Sequence, residues 1–315
     1  MQMARKVGVV GLGHVGTAVA NYLLFNGFTD ELVLIDTNEK KLNAEATDFA
    51  DAMANLNAHT KITVNDYQAL KDADVVISAL GNIGLQKDNK KHDRFVELAF
   101  NQQAAKEVGT KVKEAGFNGV FVSISNPCDV ITALYQKFTG LPTDQVIGTG
   151  TLLDSARMKK AVAEVLQVDP RSVSGYNLGE HGNSQFTAWS TVQVFDQPIT
   201  KLADQNSALN LNDLSEKVRA GGYTVYHGKH YTNYGIAAAA VHLTNAILSD
   251  SHEELPASYY HPEYETYVSS PIIVGKKGVV KEIKLDLTAD ERDKFAESAK
   301  YIKERFEKAY AELTA

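Results

Sequence analysis

The first half of the chain alternates short apolar runs with longer stretches in which apolar and polar residues follow a helical period. The short runs predict strands at 6–10, 32–36, 61–64, 74–80, 119–125 and 145–150. The longer stretches predict helices between most of them, for example at 14–26, 38–57 and 93–115. Strands that are apolar along nearly their whole length are typical of a parallel sheet covered by helices on both faces. The pattern therefore predicts an α/β fold with a doubly wound parallel sheet.

The pattern changes after about residue 150. A helix is predicted from 151 to about 166, and longer alternating runs predict antiparallel ribbons at 185–195 and 267–285, the second turning at Gly275–Gly278. A last helix follows Thr288, which can form a capping box with Glu291 three residues on. The second half is therefore expected to be an α+β domain with antiparallel ribbons. The predicted domains are residues 1–148 and 149–315, with no flexible linker between them.

Charge and composition exclude several classes of protein. The 315-residue chain has a formal net charge of −7 and no dense run of Lys and Arg, so nucleic acid and anionic membrane surfaces are poor candidate partners. No apolar run approaches the roughly 20 residues needed to cross a bilayer, and the first residues do not have the pattern of a signal peptide. Because Cys128 is the single cysteine, no intrachain disulfide can form, and the cytoplasm is the expected location.

Three glycines follow the first predicted strand and open the first predicted helix. Gly11, Gly13 and Gly16 have the spacing G-x-G-x-x-G. In a dinucleotide-binding loop the first glycine allows a tight turn, the second lets the backbone approach a pyrophosphate, and the third lets the helix pack against the strand. N–H groups at the start of the helix then face the phosphates. His14 and Val15 lie between the second and third glycines and are expected to contact the same cofactor.

Asp36 ends the next predicted strand, 20 residues beyond Gly16. A carboxylate there can accept hydrogen bonds from the ribose hydroxyls of NAD and would repel the additional phosphate of NADP. Residues 1–148 are therefore predicted to be a Rossmann-type NAD-binding domain, and residues 149–315 a catalytic domain that binds substrate. A glycine-rich turn followed by an unrelated aspartate is the alternative.

His181 lies between Gly179 and Gly182 in the stretch "NLGEHGNSQF". Such a loop exposes a side chain, and an imidazole can exchange a proton near neutral pH. Asp154 and Arg157 are three residues apart on a predicted helix, which places them on one face. Asp154 could hold the imidazolium form of His181, and Arg157 could bind a substrate carboxylate through two parallel hydrogen bonds. Taken alone, a structural histidine and a surface ion pair would explain the same residues.

Two further polar residues follow predicted strands at the carboxyl edge of the sheet, where open α/β folds bind ligands. Arg94 comes after the polar stretch "GNIGLQKDNKKHD", which could close over a substrate and stabilise charge on a carbonyl oxygen. A solvated surface loop is the alternative there. Asn126, in "SISNPCDV", could contact a cofactor ribose or a substrate oxygen. Cys128 is assigned to packing, and no metal site is predicted.

Six motifs together resemble those of the L-lactate/malate dehydrogenase family, over essentially the whole chain. In order they are "GLGHVG", "LIDTN", "SNPCDVIT", "VIGTGTLLDSARM", "GEHGNS" and "YTNYGIA". Within the family the chain is most similar to the L-2-hydroxyisocaproate dehydrogenase branch of lactic acid bacteria. The resemblance implies an NAD-dependent oxidoreductase that reduces a small 2-oxo acid reversibly to the L-2-hydroxy acid, as a homo-oligomer, either dimer or tetramer.

The resemblance also implies a role for each matching residue. His181 would donate and accept the proton, with Asp154 as its partner. Arg157 would anchor the substrate carboxylate, and Arg94 would polarise the carbonyl from the closing loop. Substrate contacts are further implied for Asn126 and Thr232, and cofactor contacts for Gly81, Asn82 and Asn126.

Departures from the family pattern bear on the substrate. Malate dehydrogenases of the family usually carry a second arginine on the closing loop, but between Gly81 and Arg94 there is none, and Gln86 takes the discriminating position. This loop is also longer than in lactate dehydrogenases, and Gly221 and Gly222 replace larger residues near the pocket. These features predict a branched or bulky substrate resembling 2-oxoisocaproate. An L-lactate dehydrogenase that acts mainly on pyruvate is the alternative.

Two other classes of protein are weighed against this one. NAD-dependent family 4 glycosidases also have an "NP" segment after a strand of a dinucleotide-binding fold. They need a divalent metal, however, and would leave Asp154, Arg157 and His181 without a role. A non-catalytic NAD-binding protein would have the glycine loop without these charged residues.

Overall fold

A sheet of nine strands forms the centre of the described part of the chain. The computed structural model describes residues 4–86 and 95–315. The first six strands are β1 (Lys6–Val10), β2 (Glu31–Ile35), β3 (Lys61–Val64), β4 (Val75–Ser78), β5 (Val120–Ser123) and β6 (Val146–Gly148). The helices that accompany them are α1 (His14–Phe25), α2 (Glu39–Met53), α3 (Leu98–Glu114), α4 (Cys128–Thr139) and α5 (Leu152–Leu166).

These six strands are parallel and lie in the order β3-β2-β1-β4-β5-β6. The order reverses between β1 and β4, so the carboxyl ends of these two strands border the crevice in which open α/β sheets bind ligands. The predicted doubly wound parallel sheet is therefore confirmed. The segments that follow β1, β4, β5 and β6 all begin at this edge, and they include the glycine loop, Gly81, Asn126 and α5.

Alternate residues of the parallel strands pack on opposite faces of the sheet. In β2, Leu32 and Leu34 belong to the core on one face, and Val33 and Ile35 belong to the core on the other. All four side chains are buried. Because both faces are covered, nearly every position of such a strand must be apolar, which explains the continuous runs in the sequence.

Short strands and three helices follow α5. The strands are β7 (Val173–Ser174), β8 (Asn177–Leu178), β9 (Phe186–Thr187), β10 (Gln193–Val194) and β11 (Gln197–Pro198), and the helices are α6 (Ile199–Gln205), α7 (Leu211–Lys229) and α8 (Tyr234–Leu248). The prediction of one continuous ribbon over 185–195 is wrong, because a 3-10 helix at Trp189–Thr191 separates β9 from β10. β9 pairs with β8, whereas β10 pairs with β7 and β11.

Three antiparallel strands continue the central sheet beyond β6. They are β12 (Glu253–His261), β13 (Thr266–Gly275) and β14 (Gly278–Glu282), in the order β6-β12-β13-β14. β13 and β14 are the ribbon predicted to turn at Gly275–Gly278, whereas β12 was not predicted. β12 joins β6 where Ser258 pairs with Gly148, and a Cβ on Gly148 would lie 3.0 Å from the Ser258 Cβ. The absence of a side chain at Gly148 therefore permits the two halves of the sheet to meet.

The last helix, α9 (Ala289–Thr314), begins with the predicted capping box. Thr288 Oγ1 accepts a hydrogen bond from the Glu291 N–H at 3.3 Å, and Glu291 Oε2 accepts one from the Thr288 N–H at 2.9 Å. The helix packs against α4 and β13. Across residues 4–86 and 95–315, no helix combines the length and the apolar character needed to cross a membrane.

Candidate active site

The glycine loop joins β1 to α1 with a geometry that requires glycine at two positions. Gly11 has a φ of +91°, in the left-handed region that favours glycine. A Cβ on Gly16 would lie 1.7 Å from the Gly11 carbonyl oxygen, so a side chain there would push α1 away from the strand. A Cβ on Gly13 would meet nothing within 4 Å, which leaves the backbone at this position open to a ligand.

The start of α1 has the properties of a phosphate site. The helix begins at His14 with Gly13 as its N-cap, and no side chain of the described residues caps it. N–H groups in the first turn of a helix have no acceptor within the helix, and the helix end carries a partial positive charge. The loop therefore fits the pyrophosphate of a dinucleotide.

Asp36 supports the same loop from the end of β2. Its Oδ2 accepts a hydrogen bond from the Leu12 N–H at 2.6 Å, and its Oδ1 accepts one from the Asn38 N–H at 2.8 Å. Lys41 Nζ donates to the Leu12 carbonyl oxygen. The carboxylate predicted to meet the ribose hydroxyls is therefore beside the glycine loop and helps to shape it.

A cavity of about 540 Å³ extends from the glycine loop to His181. Eight of the residues predicted to bind substrate or cofactor line it: Gly13, His14, Val15, Gly81, Asn126, Arg157, His181 and Thr232. They come from segments that are far apart in the sequence, and the fold brings them to one surface. The cavity is therefore the candidate active site.

His181, Asp154 and Arg157 form a hydrogen-bonded chain on this cavity. His181 Nδ1 lies 2.5 Å from Asp154 Oδ2, and Arg157 Nη1 donates to Asp154 Oδ1 at 2.9 Å. The Asp154 side chain is 1 % exposed, whereas those of His181 and Arg157 are 13 % and 18 % exposed. The buried carboxylate thus lies behind two side chains that reach the cavity. Asp154 is thus beside His181, and its bond to Arg157 is the i, i+3 ion pair that the sequence offered as the alternative, here with a buried carboxylate and not at the surface.

The two glycines of α7 have different surroundings. Gly222 lines the cavity, as expected of a position that widens the pocket. Gly221 instead packs against Arg157, because a Cβ there would lie 3.1 Å from the Arg157 Cδ. The absence of a side chain at Gly221 therefore makes room for the stem of the arginine.

The loop that carries His181 is fixed through its backbone. All four N–H groups of residues 179–182 donate hydrogen bonds. Two of the acceptors are side chains from other elements: Ser298 Oγ accepts the Glu180 N–H at 2.8 Å, and Asp129 Oδ2 accepts the His181 N–H at 2.8 Å. The imidazole is therefore attached to a rigid segment.

Two buried carboxyl groups, one in this loop and one packed against it, were not predicted from the sequence. Asp129 is 1 % exposed and Glu180 is 2 % exposed. Burial raises the pKa of Asp129 to about 6, although the hydrogen bond from the His181 N–H favours its charged form. The available signal was an acidic residue placed directly after "SNPC" at a strand end. Burial also raises the pKa of the Cys128 thiol to about 12, which keeps it protonated and agrees with a packing role.

Seven predicted site residues are not among the described residues that line the cavity. Gly11, Gly16, Asp36 and Asp154 have the contacts given above, and Asn82, Gln86 and Arg94 are the other three. Asn82 Oδ1 accepts a hydrogen bond from the Gly84 N–H at 3.1 Å, within a 3-10 helix and its cap, and Asn82 is not among the lining residues. Arg94 lies outside the described residues. Gln86 ends the 3-10 helix Ile83–Gln86, and its side chain lies outside the description as well. The roles of these residues stay predictions.

An aromatic contact joins the glycine loop to the segment before α8. The rings of His14 and Tyr231 are stacked, with centroids 3.7 Å apart and an interplanar angle of 4°. Tyr231, Tyr223 and Tyr226 also line the cavity. None of these tyrosines was predicted to line the site, although the spacing of aromatic residues in "YTVYHGKHY" was a usable signal. The cavity therefore has an aromatic side in addition to its charged one.

Comparison with known proteins gives matches over nearly the whole chain. The family model for the lactate/malate dehydrogenase NAD binding domain matches residues 5–148, and that for the lactate/malate dehydrogenase alpha/beta C-terminal domain matches residues 151–313. The chain is 35 % identical over 302 residues to L-lactate dehydrogenase 3 of Bacillus thuringiensis subsp. konkukian, covering 93 % of this chain and 94 % of that one. It is 37 % identical over 310 residues to L-lactate dehydrogenase 1 of Bifidobacterium longum, covering 96 % and 97 %. The crystal structure of the minor L-lactate dehydrogenase from Enterococcus mundtii in its ligands-bound form matches with a TM-score of 0.90 at 35 % identity, covering 97 % of this chain and 98 % of that one.

The chain therefore belongs to the lactate/malate dehydrogenase family. The resemblance seen in the six motifs is confirmed at the level of the family. The cofactor of this protein is NAD, as the glycine loop and Asp36 predict. The uncapped start of α1 at Gly13 fits that cofactor.

Proposed function

We propose that this protein is an NAD-dependent L-2-hydroxyacid dehydrogenase whose preferred substrate is a branched or bulky 2-oxo acid resembling 2-oxoisocaproate. The observation that carries the reaction class is the pair formed by His181 Nδ1 and Asp154 Oδ2, 2.5 Å apart, on the cavity that also contains the glycine loop. Reduction of a carbonyl needs a proton donor and a hydride donor at one place. A single cavity that joins an imidazole to a cofactor loop supports this chemistry.

The side chains divide the work of the reaction. Because Nδ1 of His181 is bound to Asp154, Nε2 is the ring nitrogen that exchanges a proton with the substrate oxygen. Asp154 stabilises the imidazolium form that donates this proton. Arg157 binds the substrate carboxylate through its N–H groups. When bound, NADH supplies the hydride.

The remaining predicted residues complete the proposed site. Arg94 polarises the carbonyl, and Gln86 contacts the substrate side chain. Asn126 and Thr232, which both line the cavity, contact the substrate. The proposed cofactor contacts are those of Gly11, Gly13, His14, Val15, Gly16, Asp36, Gly81, Asn82 and Asn126.

One feature supports a bulky substrate, and a second argues against a dicarboxylate. Gly222 lines the cavity without a side chain that would fill it. The segment between Gly81 and Arg94 contains no second arginine, so the second carboxylate of oxaloacetate would have no guanidinium partner from this segment. The relatives named L-lactate dehydrogenase favour the alternative, in which pyruvate is the main substrate.

Steady-state kinetics separate these alternatives. Oxidation of NADH is followed by absorbance with pyruvate, 2-oxoisocaproate, phenylpyruvate and oxaloacetate as substrates. We expect kcat/KM for 2-oxoisocaproate to exceed the values for pyruvate and oxaloacetate. A kcat/KM for pyruvate well above that for 2-oxoisocaproate would contradict the proposed preference, and no turnover with any 2-oxo acid would contradict the reaction class.

Two glycines of α7 provide a matched pair of variants for substrate size. Gly222→Ala adds a methyl group at the cavity wall, whereas Gly228→Ala adds one where nothing lies within 4 Å. One methylene in an apolar pocket is worth about 1–3 kcal/mol, which corresponds to about 10- to 200-fold in kcat/KM. We expect Gly222→Ala to lower the ratio of 2-oxoisocaproate to pyruvate by at least about tenfold. Gly228→Ala should leave that ratio unchanged.

His181→Gln tests the chemical step. We expect it to lower turnover by about 10³-fold or more, because general acid–base catalysis contributes about 10²- to 10⁴-fold. NADH affinity, measured by fluorescence, should change little. Retention of more than a tenth of the turnover would exclude His181 as the proton donor.

We further propose that the chain forms a homodimer or a homotetramer. Tyr22 and Tyr234 are 41 % and 74 % exposed, and both line a groove where α1 and α8 meet. Such apolar surface is typical of a subunit contact. Light scattering after size-exclusion chromatography tests this, and a monomer at micromolar concentration would contradict it. The domain division between residues 148 and 149 and a cytoplasmic location stay predictions.

A further inference from the structure

Asp129 lies in the first turn of α4, behind the loop that carries His181. Its Oδ2 accepts the His181 N–H at 2.8 Å, and its Oδ1 accepts the Ser269 hydroxyl at 3.4 Å. The residue is 1 % exposed and is not among the described residues that line the cavity. The carboxyl group therefore contacts the backbone of His181 from the protein interior.

A charged acceptor at this point needs an explanation, because burying a carboxylate is unfavourable. One residue earlier in the same loop, the Glu180 N–H is accepted by the neutral Ser298 Oγ at 2.8 Å. A hydroxyl is therefore sufficient to close this loop. A hydrogen bond to a charged acceptor is roughly twice as strong as one to a neutral acceptor. The chain has the stronger acceptor at the residue whose ring lines the cavity.

We propose that Asp129 is a positioning residue for His181. Its carboxylate fixes the peptide group of His181 and thereby holds the imidazole between Asp154 and the cavity. This inference rests on the proposed role of His181 as the proton donor. Two carboxyl groups then define the place of one histidine, Asp154 through the ring and Asp129 through the backbone.

The surroundings of Asp129 define how this anchor depends on pH. Burial raises the pKa of Asp129 to about 6, so the group is charged above that pH and neutral below it. A neutral carboxyl group and an asparagine amide both accept a hydrogen bond through an uncharged oxygen. The titratable groups that face Asp129 are Glu180 and His181 from the loop and Cys128 from its own helix, and β12 and β13 present the hydroxyls of Ser258 and Ser269.

Three variants of the 315-residue chain test the proposal. Asp129→Asn keeps an acceptor and removes the charge, Asp129→Ala removes the acceptor, and Ser298→Ala removes the neighbouring neutral anchor as a matched control. With NADH and 2-oxo acid saturating, we expect the wild type to exceed Asp129→Asn in kcat by about 3- to 10-fold at pH 8, because a charged acceptor adds about 1 kcal/mol. The two should converge below about pH 5, where both acceptors are neutral. Asp129→Ala should be about 10²-fold slower at every pH, since a displacement of about 1 Å has this effect.

A second measurement does not depend on turnover. Hydrogen exchange of the His181 amide, measured by NMR without ligands, should be at least about tenfold faster in Asp129→Ala than in the wild type. It should be nearly unchanged in Ser298→Ala and intermediate in Asp129→Asn. NADH affinity and the midpoint of thermal unfolding show that each variant is folded. If Asp129→Ala does not fold, the pH-dependent ratio of the wild type to Asp129→Asn decides.

The outcomes separate this inference from the proposed function. If the wild type reduces 2-oxo acids and Asp129→Asn follows its pH profile without convergence, the inference is wrong and the proposed function stands. Equal losses of kcat in Ser298→Ala and Asp129→Ala would also overturn it, since any loosening of the loop would then suffice. If the wild type reduces no 2-oxo acid, the proposed function fails, and the exchange rates still measure the anchor.

Discussion

Replacing Asp154 by asparagine removes the buried charge beside His181 and keeps the shape of the side chain. His181 Nδ1 is 2.5 Å from Asp154 Oδ2, and the aspartate side chain is 1 % exposed. Charges centred about 4 Å apart attract by about 4 kcal/mol at an effective dielectric constant of about 20. Since 1.36 kcal/mol is a tenfold change in rate, the full loss would be about 10³-fold. The hydrogen bond that asparagine retains offsets part of this loss.

We therefore expect Asp154→Asn to lower kcat/KM for the 2-oxo acid by about 10²- to 10³-fold. NADH affinity should change by less than about twofold, because Asp154 is not on the glycine loop. Stopped-flow absorbance measures the first quantity, and fluorescence titration measures the second. Asp169→Asn is the matched control, since Asp169 pairs with Arg171 at the surface and is not one of the predicted site residues. If Asp154→Asn kept more than a third of the wild-type kcat/KM, the ionised carboxylate would not be what sustains the imidazolium form.

Three further predictions concern stability, the cofactor and the substrate anchor. The pKa of Asp129 is raised in the folded protein from 3.8 to about 6, so the folded state binds this proton more tightly than the unfolded chain does. The contribution of Asp129 to the free energy of unfolding therefore falls as pH rises between these two pKa values. Chemical denaturation should therefore show Asp129→Asn gaining up to about 3 kcal/mol relative to the wild type between pH 4 and pH 7, and a constant difference would contradict this. Asp36→Ser should raise KM for NADH by about tenfold or more and reduce the preference of the enzyme for NADH over NADPH. The reason is that the variant loses both the carboxylate and its hydrogen bond to the Leu12 N–H. Unchanged KM values for the two coenzymes would refute the role of Asp36 in coenzyme binding. Gly221→Ala places a Cβ 3.1 Å from the Arg157 Cδ and should raise KM for the 2-oxo acid several-fold, whereas Gly228→Ala should not.

The parallel half of the fold could be predicted closely because its signals are local. Each of the six parallel strands is a short apolar run, and the structure keeps all six within about two residues of the predicted ends. The glycine loop and the capping box of α9 were also correct, since both depend on residues only a few positions apart. These features need no knowledge of distant contacts.

The antiparallel half of the fold was harder to predict, because neighbouring residues there indicate different structures. β12 contains Pro256, which normally argues against a strand. In the structure Pro256 lies opposite Pro271 of β13, in a pair whose backbone groups point away from each other, since the Pro271 carbonyl oxygen accepts the Ile283 N–H on the β14 side. No hydrogen bond between β12 and β13 is therefore lost at the two prolines. The segment 185–195 alternates like a strand, yet Phe195 and Asp196 adopt positive φ values of 49° and 61° and form the turn between β10 and β11. Phenylalanine in such a turn gives no warning in the sequence.

The candidate site shows the same contrast between features that the local sequence predicts and features that depend on distant contacts. His181, Asp154 and Arg157 were proposed from residue type and spacing, and in the structure they are in contact with one another. Asp129 was missed because its contact with His181 links positions 52 residues apart, through α4 and a loop after β8. Only the folded chain places that carboxyl group behind the histidine.

Pairing between β6 and β12 joins the cofactor-binding half and the proposed substrate-binding half of the chain in one continuous sheet. Gly148 and Gly150 leave no space for a side chain against Ser258, so β6 and β12 lie in close contact along this line. We therefore expect closure around a bound molecule to come from segments outside the sheet and not from bending of the sheet between β6 and β12. A chimera of two relatives would therefore have to take the residues at positions 148, 150 and 258 from the same parent, because a larger side chain at either glycine would separate β6 from β12.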